Sequence, residues 1–255
     1  MSVLGQFLEF SVQTPDILDS LGFYKRLGFT EQTPGDVWSH KYAVVSDGVI
    51  NIGLHDREFD GPALTFVHPD LALRARSMSD HGFDFRYLKL DEDIFNELGF
   101  TDRDGHLVSM QEARTFSPPD DDTPDSLCGT CFEITLPVRD ALNAGHFWAP
   151  LVPKLETLRE EPTTHMRLDT GPLALGLSES MGLRSPSLCF KCYDRDALQH
   201  VIDSEQLPCK NFPGFEGAFA ELHAPEGTTL YVFDEDFLGE SYVVDESDEV
   251  PEEFS

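Results

Sequence analysis

In Phe7-Leu8-Glu9-Phe10-Ser11-Val12-Gln13, apolar Leu8, Phe10 and Val12 alternate with polar Glu9, Ser11 and Gln13, which is the period of a half-buried strand. Thr14-Pro15-Asp16 then signals a helix start, with Thr14 as the expected N-cap and Pro15 at the first helical position, where its missing N–H costs nothing. Gly28 is the expected stop, because glycine enters left-handed backbone without a Cβ clash. A strand at Phe29 follows, a second is expected within 37–46 and a third within 49–55, parted by the turn Ser46-Asp47-Gly48. Together these make one βαβββ unit. The next begins at once, with strand Ala63–Val67, a helix from Pro69 to about Asp80 stopped by Gly82, and strands near 83–88, 97–102 and 107–111.

Beyond residue 126 the pattern starts again. Phe132-Glu133-Ile134-Thr135-Leu136 repeats the opening strand 124 residues later, with Glu133 in register with Glu9. Phe147-Trp148 and Leu151 answer Phe23-Tyr24 and Leu27, and Leu175-Gly176-Leu177 answers Ile52-Gly53-Leu54. The fourth unit opens with Leu188–Cys192, continues with a helix over about 196–204 capped by Asp194, and closes with the turn and strand of 225–233. The chain is therefore read as an internal duplication. Its expected parts are a first domain at 1–113, a Pro- and Asp-rich linker at 114–126, a second domain at 127–240 and an acidic, disordered tail at 241–255.

The run Phe23-Tyr24-Lys25-Arg26-Leu27-Gly28-Phe29 between helix and strand, together with the turn Asp102-Arg103-Asp104-Gly105-His106 before the last strand of the second unit, resembles the vicinal oxygen chelate superfamily. That superfamily includes glyoxalase I, bleomycin-resistance proteins and extradiol dioxygenases. The resemblance implies an α+β fold of two tandem glyoxalase-like domains, each a partly open mixed β-barrel of two βαβββ units with outer helices. It also implies a divalent metal in the cleft, held by side chains of the first and last strands of the units. Those positions fall here on Glu9, Ala63, Glu133 and Ser187, and on Gly53, Ser109, Gly176 and Tyr231. One carboxylate per domain is too few for the three or four converging ligands a transition metal takes, so no metal or other cofactor is expected. His40, His55 and His165 lie close enough in the pattern to reinstate one by a shift along a strand, whereas His68 and His106 should point away.

Two CxxC pairs, Cys128/Cys131 and Cys189/Cys192, have the spacing of a structural zinc site. The second pair falls inside a strand, where residues three apart face opposite sides, so buried free thiols are the expectation. Cys209 stands alone.

A net charge of −29, from 47 acidic against 18 basic residues, argues against nucleic acid or an anionic membrane as partner. Only six of the basic residues are Lys, as in salt-tolerant acidic surfaces, although the same field attracts cationic ligands. No apolar run approaches the roughly 18 residues of a membrane span, and Met1–Gln6 lacks the basic segment of a signal peptide, so a cytoplasmic location is expected. With 40 % hydrophobic and 11 % aromatic residues the chain is globular.

The strand parity sends Glu9 and Ser11 to the concave face with Thr65, Ser109 and Gln111, and in the second half Glu133 and Thr135 with Lys191 and Tyr231. These nine are the candidate ligand-binding residues; no catalytic residue can be assigned. Burial without a metal is expected to raise the pKa of Glu9 and Glu133. The favoured function is metal-free binding of a small polar organic molecule, as in the bleomycin-resistance branch. The alternatives are a glyoxalase-type lyase or isomerase or a dioxygenase with displaced ligands, and a degenerate structural or regulatory module. Units in this family also exchange between chains, which leaves a homodimer open.

Overall fold

The computed structural model describes residues 3–237 except 121–122, 161–162, 172, 211, 213–214 and 216, so the acidic tail expected at 241–255 lies outside the described residues. The alternating segment that opens the chain forms β1 (Gln6–Gln13), the centre of the first sheet. It pairs parallel with β4 (Asn51–His55) and antiparallel with β5 (Ala63–Val67), so each unit's first strand lies beside its own last strand and its counterpart's first. With β2 (Thr30–Gln32), β3 (Tyr42–Ser46), β6 (Tyr87–Lys89), β7 (Glu97–Thr101) and β8 (Leu107–Gln111) the order is β2-β3-β4-β1-β5-β8-β7-β6. Helices α1 (Ile17–Arg26) and α2 (Leu71–Asp80) make the crossovers.

The second half repeats this plan strand for strand. Its strands are β9 (Thr130–Pro137), β10 (Lys154–Arg159), β11 (His165–Asp169), β12 (Ala174–Ser178), β13 (Ser187–Cys192), β14 (Cys209–Lys210), β15 (Phe219–His223) and β16 (Thr229–Asp234), in the order β10-β11-β12-β9-β13-β16-β15-β14. Helices α3 (Ala141–Trp148) and α4 (Arg195–Glu205) take the places of α1 and α2. Glu9 stands opposite Thr65 and Glu133 opposite Cys189, which is the register expected from a duplication at 124 residues. The fold is thus the tandem α+β arrangement anticipated, but neither eight-stranded sheet closes into a barrel.

Two local expectations shift. The N-cap of α1 is Asp16, whose Oδ1 accepts from the backbone N–H groups of Leu18 at 3.0 Å and Asp19 at 3.2 Å. The Thr14 hydroxyl is taken up instead by Ser20 Oγ at 2.9 Å and the carbonyl of Asp16 at 3.0 Å, which moves the helix start two residues on. The segment at 114–126 does not hang free: Phe116 bridges to Pro34, and Gly35 N–H donates to the Thr115 carbonyl at 2.8 Å. Gly28 ends α1 as expected, at φ +89°.

One apolar core runs through both halves. Tyr24, on α1, is fully buried and donates its hydroxyl at 2.6 Å to Glu226, in the turn before β16. Trp148, at the matching place on α3, is fully buried and donates Nε1–H at 3.3 Å to Asp102, in the turn before β8. Each half therefore docks an aromatic ring with a polar tip into the other half's last turn, where the tip finds an acceptor. We expect Trp148→Phe, which orphans Asp102 Oδ2 and leaves part of the buried indole's space unfilled, to lower stability by about 2–4 kcal/mol in urea denaturation.

Candidate functional site

The site grows from β1, where burial on both sheet faces leaves no water to solvate a charge. Glu9 is 1 % exposed, and its carboxyl occupies the space a side chain at position 53 would fill. A Cβ on Gly53 would lie 2.4 Å from the Glu9 carboxyl carbon, so glycine on β4 makes the room. Three donors reach the carboxylate. Ser11 Oγ–H donates to Oε1 at 2.7 Å, His55 Nε2–H to the same oxygen at 3.1 Å, and the Tyr42 hydroxyl to Oε2. Burial by itself pushes the Glu9 pKa up, but the interaction with His55 and the hydrogen bonds from Tyr42 and Ser11 together outweigh it and hold the pKa below the ordinary 4.5. The raised pKa expected from burial alone is therefore overturned.

An ionised carboxylate only accepts, and this fixes the protons around it. His55 must carry its proton on Nε2, so its Nδ1 accepts from His40 Nε2–H at 2.9 Å, and the His40 Nδ1 lone pair remains. Burial, with help from His55 and Arg57, lowers the His40 pKa and keeps that ring neutral. Ser11, having given its proton to Glu9, accepts from the Thr65 hydroxyl at 2.6 Å, and Tyr42 accepts from the Thr115 hydroxyl at 3.1 Å. Every hydrogen bond in the cluster thus points inward at one charge.

In front of this cluster lies a narrow cavity of about 40 Å³ that opens to solvent. Ser11, Thr65, Ser109 and Gln111 line it; Glu9 lies behind, one layer deeper. Trp38, His40, His55 and Phe59 form its aromatic side, with the Arg57 guanidinium 5.9 Å from the Trp38 ring centre. Tyr87 donates to Ser109 Oγ at 2.9 Å, and Glu97 is paired with Lys89. Two buried polar atoms of the lining, Gln111 Oε1 and Trp38 Nε1, have no partner among the described residues. Ser11, Thr65, Ser109 and Gln111, expected together from strand parity, line this one cavity, while Trp38, Arg57, Phe59, Tyr87 and Glu97 of its lining and Tyr42 of the cluster were not anticipated. Tyr42 was within reach of the strand parity, since it stands opposite His55.

The second half keeps the buried glutamate and changes the layer in front of it. Glu133, 3 % exposed, accepts from Thr135 Oγ1 at 2.6 Å and sits 3.2 Å from His165 Nε2, again in space left by a glycine, Gly176. Where Gln111 and Glu97 stand in the first half, the ladder puts Phe233 and Phe219, which pack on each other with ring centres 5.7 Å apart. Tyr231 stacks on Phe233, and Lys191 turns out to Glu235 at 2.9 Å, so neither joins Glu133.

The donor set does not fit the metal that the fold implies. Of the four positions aligned with ligands in the first half, Ala63 and Gly53 offer no donor, Ser109 accepts from Tyr87, and Glu9 is occupied by three protein donors. His40, His55 and Glu9 lie in a hydrogen-bonded line with both His55 nitrogens used, and among the described residues no three His, Cys, Asp or Glu converge. Nor do the cysteines assemble a site: Cys189 faces Thr135, while Cys192 on the opposite face donates to the Leu127 carbonyl. Burial raises the Cys128 and Cys131 thiols and pushes Cys189 up to about 12, which keeps all three protonated.

No family model matches the sequence, and no curated protein does. Solved structures do. The chain is similar to a catechol 2,3-dioxygenase (TM-score 0.62, 10 % identity, 91 % of this chain and 88 % of that one). It is similar to a halotolerant catechol dioxygenase (TM-score 0.60, 12 %, 91 % and 87 %). It is also similar to a Mn(II)-bound glyoxalase from Novosphingobium aromaticivorans (TM-score 0.60, 13 %, 92 % and 83 %). The fold is shared with these dioxygenases and this glyoxalase, as two tandem sheet units.

Two outcomes test the cluster. Gly53→Ala should destabilise by about 1–3 kcal/mol by driving a methyl into the carboxyl. Adding it to Glu9→Ala should cost at least about 1 kcal/mol less than the sum of the singles in a double-mutant cycle, since the clash then has no target. Glu9→Gln presents an amide N–H₂ to one of the three donors and should cost about 1–3 kcal/mol at neutral pH. Because the folded-state pKa of Glu9 is lowered, its contribution is present above the unfolded value near 4.5 and is lost as pH falls through the folded value. The gap between wild type and Glu9→Gln should therefore shrink below pH 4.5 in acid denaturation curves.

Proposed function

We propose that the chain binds a small polar organic molecule in the cavity of its first half without the family metal, as bleomycin-resistance proteins of the same fold class do. One observation carries the reading: the Glu9 carboxylate is saturated by Ser11, Tyr42 and His55, and by drawing their protons inward it leaves acceptors on the cavity wall. Gln111 Oε1, the Thr65 oxygen and His40 Nδ1 accept, and Trp38 Nε1–H donates. Such a wall suits a ligand that carries N–H or O–H groups on a flat or apolar body. Glu9 acts as a positioning residue, and Glu133, Thr135, Lys191 and Tyr231 have no part in binding.

A thermal-shift screen of cationic and amide-bearing metabolites tests this. Compounds that stabilise wild type and Glu133→Gln alike, and bind Gln111→Leu about tenfold or more weakly, support the first cavity. Hits indifferent to Gln111→Leu would place the ligand elsewhere. The likeness to dioxygenases and to a Mn(II)-bound glyoxalase favours a second reading, a metal-dependent lyase or dioxygenase that draws on Glu9, His55 and His40. Stoichiometric iron, manganese, nickel or zinc in untagged protein, lost on Glu9→Ala, would establish that reading in place of the first. Absence of any saturable ligand would leave a structural or regulatory module.

A further inference from the structure

A second cavity, of about 170 Å³ and open to solvent, lies between the two halves. Its first-half side is mostly apolar, from Phe10, Val12, Phe59 and Pro62 with Gln13 at its end, while the turn before β16 contributes Glu226 and Thr228. Glu226 is the acceptor of Tyr24, but a phenol has one proton, and it goes to Oε1. Oε2 is buried and has no partner among the described residues, and the Thr228 hydroxyl beside it has only the Tyr24 oxygen to turn to. The described lining contains no Lys, Arg or His to offset the carboxylate. A buried carboxylate oxygen without a donor is costly, and the first cavity shows how this chain satisfies one, with three donors on Glu9.

We propose that this interdomain cavity is a second binding site, for an organic ammonium group on a compact apolar body. The cation completes the hydrogen bonding of Glu226 Oε2 and lies beside the Thr228 hydroxyl, while Phe10, Val12, Phe59 and Pro62 cover the body. The net charge of −29 raises the local concentration of such cations around the molecule. Phe59 lines both cavities, so its ring is the partition between the two sites.

Benzylamine and its neutral counterpart benzyl alcohol are suitable probes, titrated into the full-length protein by NMR and calorimetry. Expected are saturable benzylamine binding with shifts at the Gly61 and Gly227 amides, benzyl alcohol at least tenfold weaker, and at least a tenfold loss in Glu226→Gln, which keeps an acceptor for Tyr24. Thr228→Val should weaken binding less, and it serves if Glu226→Gln fails to fold. Gln111→Leu, which alters only the first cavity, should leave benzylamine binding unchanged. The proposal is overturned if benzyl alcohol binds equally well, if benzylamine does not saturate, or if Glu226→Gln and Thr228→Val both bind as wild type. Loss of binding in Gln111→Leu would assign the amine to the first cavity and likewise overturn it.

Discussion

A carboxylate with 1 % of its surface exposed must be given donors by the protein, and much of the first half is arranged to meet that demand. Gly53 vacates the space, and Ser11 comes from the same strand two residues on. Tyr42 and His55 come from neighbouring strands, where the ladder sets them opposite one another. Because the charge only accepts, the protons of Ser11, Thr65, His55 and His40 are all oriented by it, and the polarity of the cavity wall is a consequence of a group the cavity does not touch. A metal at this place would need the same lone pairs that Ser11, Tyr42 and His55 already hold.

The two halves show what such a cluster does and does not require. Glu133, Thr135, His165 and Gly176 preserve the buried carboxyl group and its partners in the second sheet, so the cluster persists beneath a different outer layer. What differs is the outer layer. Gln111 and Glu97 give way to Phe233 and Phe219, and the aromatic rings fill with carbon what is left hydrophilic in the first half. The buried glutamate is thus a property of the repeated scaffold, and the function proposed for the first half depends on the layer laid over it.

Much of the architecture was legible because strand period and helix stops are local. Ala63–Val67 and Leu107–Gln111 fall where the alternation put them, and Asp194 caps α4 through a bond to Ala197 N–H. The cap of α1 moved from Thr14 to Asp16 because a hydroxyl has several partners to choose among, here Ser20. The site was half legible. Parity gave the polar face of β1 and β5, but Trp38, Arg57 and Phe59 come from loops, whose direction is set by the sheet they fold against and not by any period. The sign of the Glu9 shift was missed for a related reason: burial is visible in a strand pattern, while donors arriving from Tyr42 and His55 are tertiary.

Tyr24 and Trp148 give the pairing of halves a further meaning. Each half supplies the ring that fills the other's final turn, so neither is finished alone: without its sibling it would show an open apolar flank and an orphaned acid, Asp102 or Glu226. Separating the halves would therefore bare apolar core on both pieces, and each half serves as the other's missing layer.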